Sequence, residues 1–263
     1  MPTALIIRTA GTNCDQEMIR GFQLAGADTQ TVHLDNLIAD PSPLESCDII
    51  GFPGGFSYGD DIASGRVFAV KVREQLAQRL RAAADRGALM LGVCNGFQVM
   101  AQAGLLPDPT TGGKPTIALT ENITGRFIDD WVRIETDPDS PCVWTKDLDL
   151  GLIGQDRDHA MRLPLASGEG RFVADSDSTL QQLEQNHQIP IRYLDNPNGS
   201  QSSIAAVCDP TGRILGLMPH PDRYLNWKNH PHWTSLPDPL QQGDTPGLTL
   251  FRNAVESVMM TTA

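Results

Sequence analysis

The chain has 263 residues, enough to bury one sizeable core, and 40% of them are hydrophobic. Its 32 acidic and 20 basic residues give a net charge of −12, the wrong sign for a phosphate backbone, which sets nucleic acid aside as a partner. No apolar run approaches the roughly 20 residues of a membrane span, and five scattered cysteines without a Cys-x-x-Cys pair argue against a disulfide framework or a structural zinc.

Met1–Arg8 lacks the basic and long apolar regions of a signal peptide, so a reducing cytoplasm is the expected setting. Leu5-Ile6-Ile7 reads as a first buried strand, followed by a helix from Asp15 to Ala25 closed by Gly26. Gln30 to Leu34 reads as a second strand, and Cys47 to Phe52 as a third, stopped by Pro53-Gly54-Gly55. Val72, Leu76, Leu80 and Ala84 recur every four residues, which predicts a long amphipathic helix ending near Gly87. Leu89 to Val93 is then a fourth strand. This alternation predicts a mostly parallel α/β sheet with helices on both faces.

Beyond it, Asp108 to Pro115 reads as an exposed loop. Strand-like runs over Phe127–Glu135, Ile191–Leu194, Ile204–Cys208 and Ile214–Leu217 predict an antiparallel extension of the same sheet, within a single domain over residues 1–263. Trp227 to Pro246 holds four prolines and little periodicity, which predicts an ordered excursion over the surface. In it, His230 and His232 read as surface histidines, with no metal site evident. A final helix covers Leu248 to Met259.

The chemistry concentrates at Gly92-Val93-Cys94-Asn95-Gly96. A strand that ends in Gly-x-Cys-x-Gly and passes straight into a helix has the form of a nucleophile elbow. There the helix N-terminus favours thiolate over thiol. The bland reading of Cys94 is a buried core cysteine. Cys14, in Gly11-Thr12-Asn13-Cys14-Asp15, also sits at a strand-to-helix junction and is the rival nucleophile. The base for Cys94 is expected at His220, held rigidly between Pro219 and Pro221, with Asp222 as the carboxylate that orients it. Oxyanion donors are expected from the Asn95 amide and from the Gly54-Gly55 turn, Gly55 above all. No Gly-x-x-x-x-Gly-Lys-[ST] loop exists, which argues against ATP binding by a P-loop.

Taken together these motifs resemble the glutaminase subunits of phosphoribosylformylglycinamidine synthase, a branch of the triad-type (class I) glutamine amidotransferases. The likeness rests on Gly11-Thr12-Asn13-Cys14-Asp15, Pro53-Gly54-Gly55-Phe56-Ser57-Tyr58-Gly59-Asp60, the elbow through Gln98, Thr120-Glu121-Asn122, Gly125-Arg126-Phe127, Asn196-Pro197-Asn198-Gly199-Ser200 and Met218-Pro219-His220-Pro221, in that order. It implies a flavodoxin-like core, a Cys94–His220–Asp222 triad and glutamine hydrolysis through a Cys94 thioester. It also implies glutamine contacts at Gly54, Phe56, Gln98, Asn198 and Ser200. Ammonia would pass to a large ATP-binding synthetase subunit in purine biosynthesis, with a small third subunit bridging the two. By the same resemblance this chain carries no cofactor, and ATP and Mg²⁺ belong to the synthetase. Two positions depart from the family pattern: Asp222 stands where Glu is usual, and Ser167 where the Ala-His-Gly-Glu-Gly-Arg segment carries His. A stand-alone cysteine hydrolase and a degenerate scaffolding domain are the alternative readings.

Overall fold

A computed structural model of the chain describes residues 1–262 apart from 112, 113, 150, 151, 153 and 239. In the first half, β1 (Thr3–Arg8), α1 (Asp15–Ala25), β2 (Asp28–His33), α2 (Leu34–Ala39), β3 (Ile49–Phe52), α3 (Arg66–Lys71), α4 (Ala77–Arg86), β4 (Leu89–Val93) and α5 (Asn95–Gln102) follow one another. The second half contributes β5 (Ile117–Thr120), β6 (Ile128–Thr136), α6 (Gly154–Ala160), β7 (Arg162–Ser167), β8 (Arg171–Ala174), α7 (Asp177–Gln185), β9 (Ile191–Tyr193), β10 (Ile204–Cys208), β11 (Ile214–Leu217) and α8 (Pro246–Thr262).

Nine strands form one sheet in the order β2-β1-β3-β4-β11-β10-β9-β6-β7, while β5 and β8 pair as a separate ribbon. From β2 to β11 neighbouring strands are parallel, and from β11 to β7 they are antiparallel. The fold is therefore the expected α/β sheet with an antiparallel extension, and its parallel part has the doubly wound order of flavodoxin-type sheets. One strand departs from expectation. Ile214–Leu217 belongs to the parallel core, paired with β4 from Ile214↔Met90 to Leu217↔Val93. That pairing matters for function, because it sets the end of β11 beside the elbow.

The parallel strands carry continuous apolar runs because both of their faces are covered. Leu5, Ile6 and Ile7 of β1 and Met90 and Leu91 of β4 are all fully buried. On one face, α1 packs against α8, where the rings of Phe22 and Phe251 meet edge to face at 4.9 Å. On the path from α3 to α4 the helix widens into a π turn over Val72–Leu76. Apolar steps of four residues overshoot a turn of 3.6, and a wider turn absorbs the excess. Val72, Leu76 and Leu80 thereby all stay buried.

The surface excursion is pinned down. Trp227 is buried and donates its indole N–H to the Gly243 carbonyl at 2.7 Å. His230, expected at the surface, is instead 1% exposed, packed between Trp131 and Tyr224 and bonded to the His159 carbonyl at 3.0 Å. Aromatic neighbours from β6 and from the turn after β11 cover it, contacts that a local reading cannot see. In the predicted loop after α5, Pro109 is buried while Gly112 and Gly113 lie outside the described residues. Among the described residues no helix is long and apolar enough to cross a membrane.

Candidate active site

Ligands of doubly wound sheets bind at the carboxyl ends of the strands, near the point where strand order reverses. Here that reversal lies between β1 and β3, flanked by β4 and β11. Cys14 follows β1, Gly54 and Gly55 follow β3, Cys94 follows β4 and His220 follows β11. Residues scattered over most of the chain are collected at one edge by strand order alone.

Cys94 is the residue between β4 and α5, with φ 53° and ψ −108°. Positive φ in a non-glycine residue is strained and is held in place by its surroundings. Cys94 N–H donates to the Leu217 carbonyl at 2.8 Å and its carbonyl accepts from Gln98 N–H at 3.1 Å. The elbow also needs Gly96, because a Cβ there would collide with the Phe52 carbonyl. Gly96→Ala is accordingly expected to lower the unfolding free energy by about 2–3 kcal/mol in a urea titration, a cost typical of forced overpacking. An alanine variant as stable as the parent would mean that the elbow can shift.

His220 is anchored from two directions. Its backbone N–H donates to the Pro164 carbonyl of β7 at 2.7 Å, and its ring Nδ1 lies 3.2 Å from Asp222 Oδ1. Both side chains are buried, at 1% and 0% exposure. Burial works against a charged imidazole, but the Asp222 carboxylate outweighs it, and the nearby Cys14 and Cys94 thiols act in the same direction as Asp222. The net result holds the imidazole well above its usual range. The Cys94 thiol itself points at the Ala166 carbonyl, 3.6 Å away.

Cys94 and His220 share a cavity of about 230 Å³ with Cys14, Gly55, Phe56 and Gln98. This is smaller than the roughly 300–1,000 Å³ of drug-sized ligand sites, and suits a compact polar substrate. Asn95 opens α5, so its N–H has no acceptor within the helix. Gly55 has φ 143°, and a Cβ there would stand 2.7 Å from the Gly11 carbonyl. The turn after β3 can therefore carry only glycine at that position.

Not every expected contact reaches the cavity. Gln98 lines it, but its amide is engaged on both sides, donating to the Glu169 carbonyl and accepting from Asn95 Nδ2 at 3.0 Å. Gly54 lies behind the imidazole, and a Cβ there would stand 2.8 Å from His220 Cε1. Asn198 and Ser200 are buried away from the cavity wall. Asn198 Nδ2 donates to the Gly170 carbonyl at 2.8 Å, its Oδ1 accepts from Ser200 N–H and Oγ, and Ser200 Oγ accepts from Phe172 N–H at 3.0 Å. Together they brace the segment from Ser167 to Phe172, whose first residues form a cavity wall. Asn198→Ala is expected to destabilise the chain by about 2–4 kcal/mol through the buried groups it leaves unpaired. It should also raise KM for the substrate held in the cavity more than it lowers kcat; an unchanged KM in steady-state assays would show the wall does not depend on that brace.

The wall also holds residues that local reading missed. Phe127, Asp129, Ala166, Ser167, Glu169 and Arg223 all line the cavity. Ser167 Oγ is buried without a hydrogen-bond partner among the described residues. Asp60, also in the wall, bonds to Ser64 and Gly65, and burial raises its carboxyl above the ordinary range.

Comparison with known proteins gives a consistent picture. Residues 1–258 match the family of CobB/CobQ-like glutamine amidotransferase domains. Subunit PurQ of phosphoribosylformylglycinamidine synthase from Dehalococcoides mccartyi is 39% identical over 258 residues, covering 96% of each chain. The PurQ subunit from Methanococcus maripaludis strain S2 is 40% identical, covering 97% of each chain. A chain in the solved PurLQS structure from Thermotoga maritima superposes with a TM-score of 0.69 at 30% identity, over 97% of this chain and 98% of that one.

Proposed function

The chain belongs to the family of CobB/CobQ-like glutamine amidotransferase domains, and from that premise we propose that it is the glutaminase subunit of a phosphoribosylformylglycinamidine synthase in purine biosynthesis. The observation that carries this reading is Cys94, strained on the strand-to-helix elbow and sharing one small cavity with His220, which the buried Asp222 holds from outside that cavity.

In this reading Cys94 Sγ attacks the side-chain amide carbon of glutamine. The oxyanion that forms is met by the Asn95 and Gly55 N–H groups. The imidazolium of His220, sustained by Asp222, gives its proton to the departing amide nitrogen, and the C–N bond breaks to release ammonia. A γ-glutamyl thioester remains on Cys94. His220, now neutral, takes a proton from water as the water attacks that carbonyl, and glutamate leaves with the thiolate restored. Glu169, Asp60 and Asp129 put carboxylates on the cavity wall, where they suit the α-ammonium of glutamine better than an anionic substrate.

The ammonia is used by a large synthetase subunit, which consumes ATP with Mg²⁺ to convert a formylglycinamide ribonucleotide to its amidine; this chain itself uses no cofactor. A small third subunit bridges the two. Support for a partner at the cavity mouth comes from Phe56 and Phe127, which line the cavity yet are 49% and 54% exposed. Large apolar side chains grouped at a mouth mark interaction surfaces. Five free cysteines fit a reducing cytoplasm.

The test combines two measurements. 6-Diazo-5-oxo-L-norleucine, a glutamine-like electrophile, is expected to modify Cys94 stoichiometrically, as read by peptide mass spectrometry. Glutamate release by the chain is expected to rise when a purified synthetase subunit is added. No labelling at Cys94, or a synthetase that accepts no nitrogen from glutamine in the presence of this chain, would overturn the reading.

A further inference from the structure

Cys14 is the one cysteine at the site that the proposed chemistry does not use. It precedes α1 and is 1% exposed. Its backbone N–H donates to the Gly54 carbonyl at 3.2 Å, and its thiol donates to Asn13 Oδ1 at 3.2 Å. From the other side, Arg223 Nη2 donates to Cys14 Sγ at 3.1 Å. The sulfur is therefore tethered to the His220 turn itself, by a residue three positions beyond the histidine. Cys14 Sγ, a ring nitrogen of His220 and a carboxylate oxygen of Asp222 all lie within 4.8 Å of one another. A Cβ on Gly54 would stand 2.8 Å from His220 Cε1 and 3.3 Å from Cys14 Sγ, so thiol and ring both close on Gly54 and leave no room for a side chain there.

The carboxylate beside the ring holds it weakly. Asp222 reaches Nδ1 with Oδ1 alone at 3.2 Å, while its Oδ2 is buried without a partner among the described residues. A histidine held by one long hydrogen bond needs a second support if its far nitrogen is to stay aimed at a nucleophile.

We propose that Cys14 is a positioning residue for the glutaminase step: its thiol, tied to Arg223, buttresses the His220 imidazole and keeps the ring presented to Cys94. The inference rests on the glutaminase reading and deepens it. In this role Cys14 acts through His220 and not on the reacting atoms. Contact with the Cys14 thiol also helps to keep the imidazole charged. The charged and titratable groups around the ring are Asp222 and Arg223 from its own turn, Cys14 from the start of α1 and Cys94 from the elbow, with Glu17 of α1 acting on Arg223.

The experiment compares wild type with Cys14→Ala and Cys14→Ser, each with the synthetase present. Steady-state kcat and KM for glutamine are measured across pH, together with the rate at which 6-diazo-5-oxo-L-norleucine alkylates Cys94. Cys14→Ala is expected to lower kcat and the alkylation rate about tenfold with KM within about twofold, and to move the alkaline limb of the kcat profile to lower pH. Serine keeps a polar hydroxyl at the same place, and is expected to recover most of the loss and to serve as the reading if alanine fails to fold. Wild-type kcat, pH profile and alkylation rate in Cys14→Ala would overturn the proposal, as would a rise in KM alone. Wild-type protein that is not alkylated at Cys94 would instead sink the glutaminase reading beneath it.

Discussion

Cys94→Ala is expected to abolish glutamine-dependent amidine formation by the reconstituted synthase, by at least about 10³–10⁴-fold, while ammonia-dependent formation stays within about twofold of wild type. The asymmetry follows from the site. Alanine keeps the Cβ that the elbow already accommodates at φ 53°, so backbone strain is unchanged and only the sulfur is lost. Without it no thioester forms, and the cavity can do no more than bind glutamine. Supplying ammonia bypasses the subunit and serves as the internal control for an intact synthetase. If ammonia failed to rescue the complex, the division of labour between the two subunits would be wrong. If glutamine still served, Cys14 would become the nucleophile, since among the described residues it is the only other thiol on the cavity wall.

Much of this site is local in sequence and therefore legible there. The elbow is a contiguous string whose spacing encodes strand, turn and helix, and the glycines beside Cys94 are demanded by collisions within and next to that string. Helix α1 could be bounded to the residue, because Gly26 closes it with φ 96° and Asp15 and Glu17 sit in its first turn. Strand β7 escaped notice because Pro164 interrupts an otherwise regular alternation, and proline within a run argues against a strand. Helix α7 escaped for lack of an apolar stripe: Leu183 is its one buried residue. Strand β7 matters to what local reading could not deliver. The Ala166 carbonyl facing Cys94, the Pro164 carbonyl holding His220 and the unpartnered Ser167 hydroxyl all come from β7. The parallel pairing of β11 with β4 was hidden for a related reason. Hydrophobic alternation reports which residues face the core, but not which strand lies alongside or in which direction.

Asp222→Asn is expected to lower kcat for glutamine about 10²–10⁴-fold and to move the alkaline limb of the pH profile downward, whereas Asp222→Glu should remain within about tenfold of wild type. The sign follows from the forces on His220. Burial is the largest influence and disfavours the imidazolium; the Asp222 charge and hydrogen bond overcome it, and the folded imidazole ends well above its ordinary 6.5. Asparagine keeps the shape and removes the charge, so burial prevails and the imidazole loses its proton at lower pH. The proton needed to expel ammonia is then missing at neutral pH, and the amide can also hold the ring in the wrong tautomer. Stability moves with the same proton. A raised folded value means the His220–Asp222 contribution is fully present below about pH 6.5 and is lost as pH rises through the folded value. The wild type should therefore exceed Asp222→Asn in unfolding free energy by more at about pH 6 than at about pH 9. Glutamate keeps the charge, and the cavity behind the triad, lined by Asp222, Arg223, Glu17 and Thr245, offers room for one more methylene. A longer side chain can bring both oxygens into use where Oδ2 now has no partner among the described residues. Wild-type rate and pH dependence in Asp222→Asn would remove Asp222 from the triad and leave Cys94 and His220 to act as a dyad.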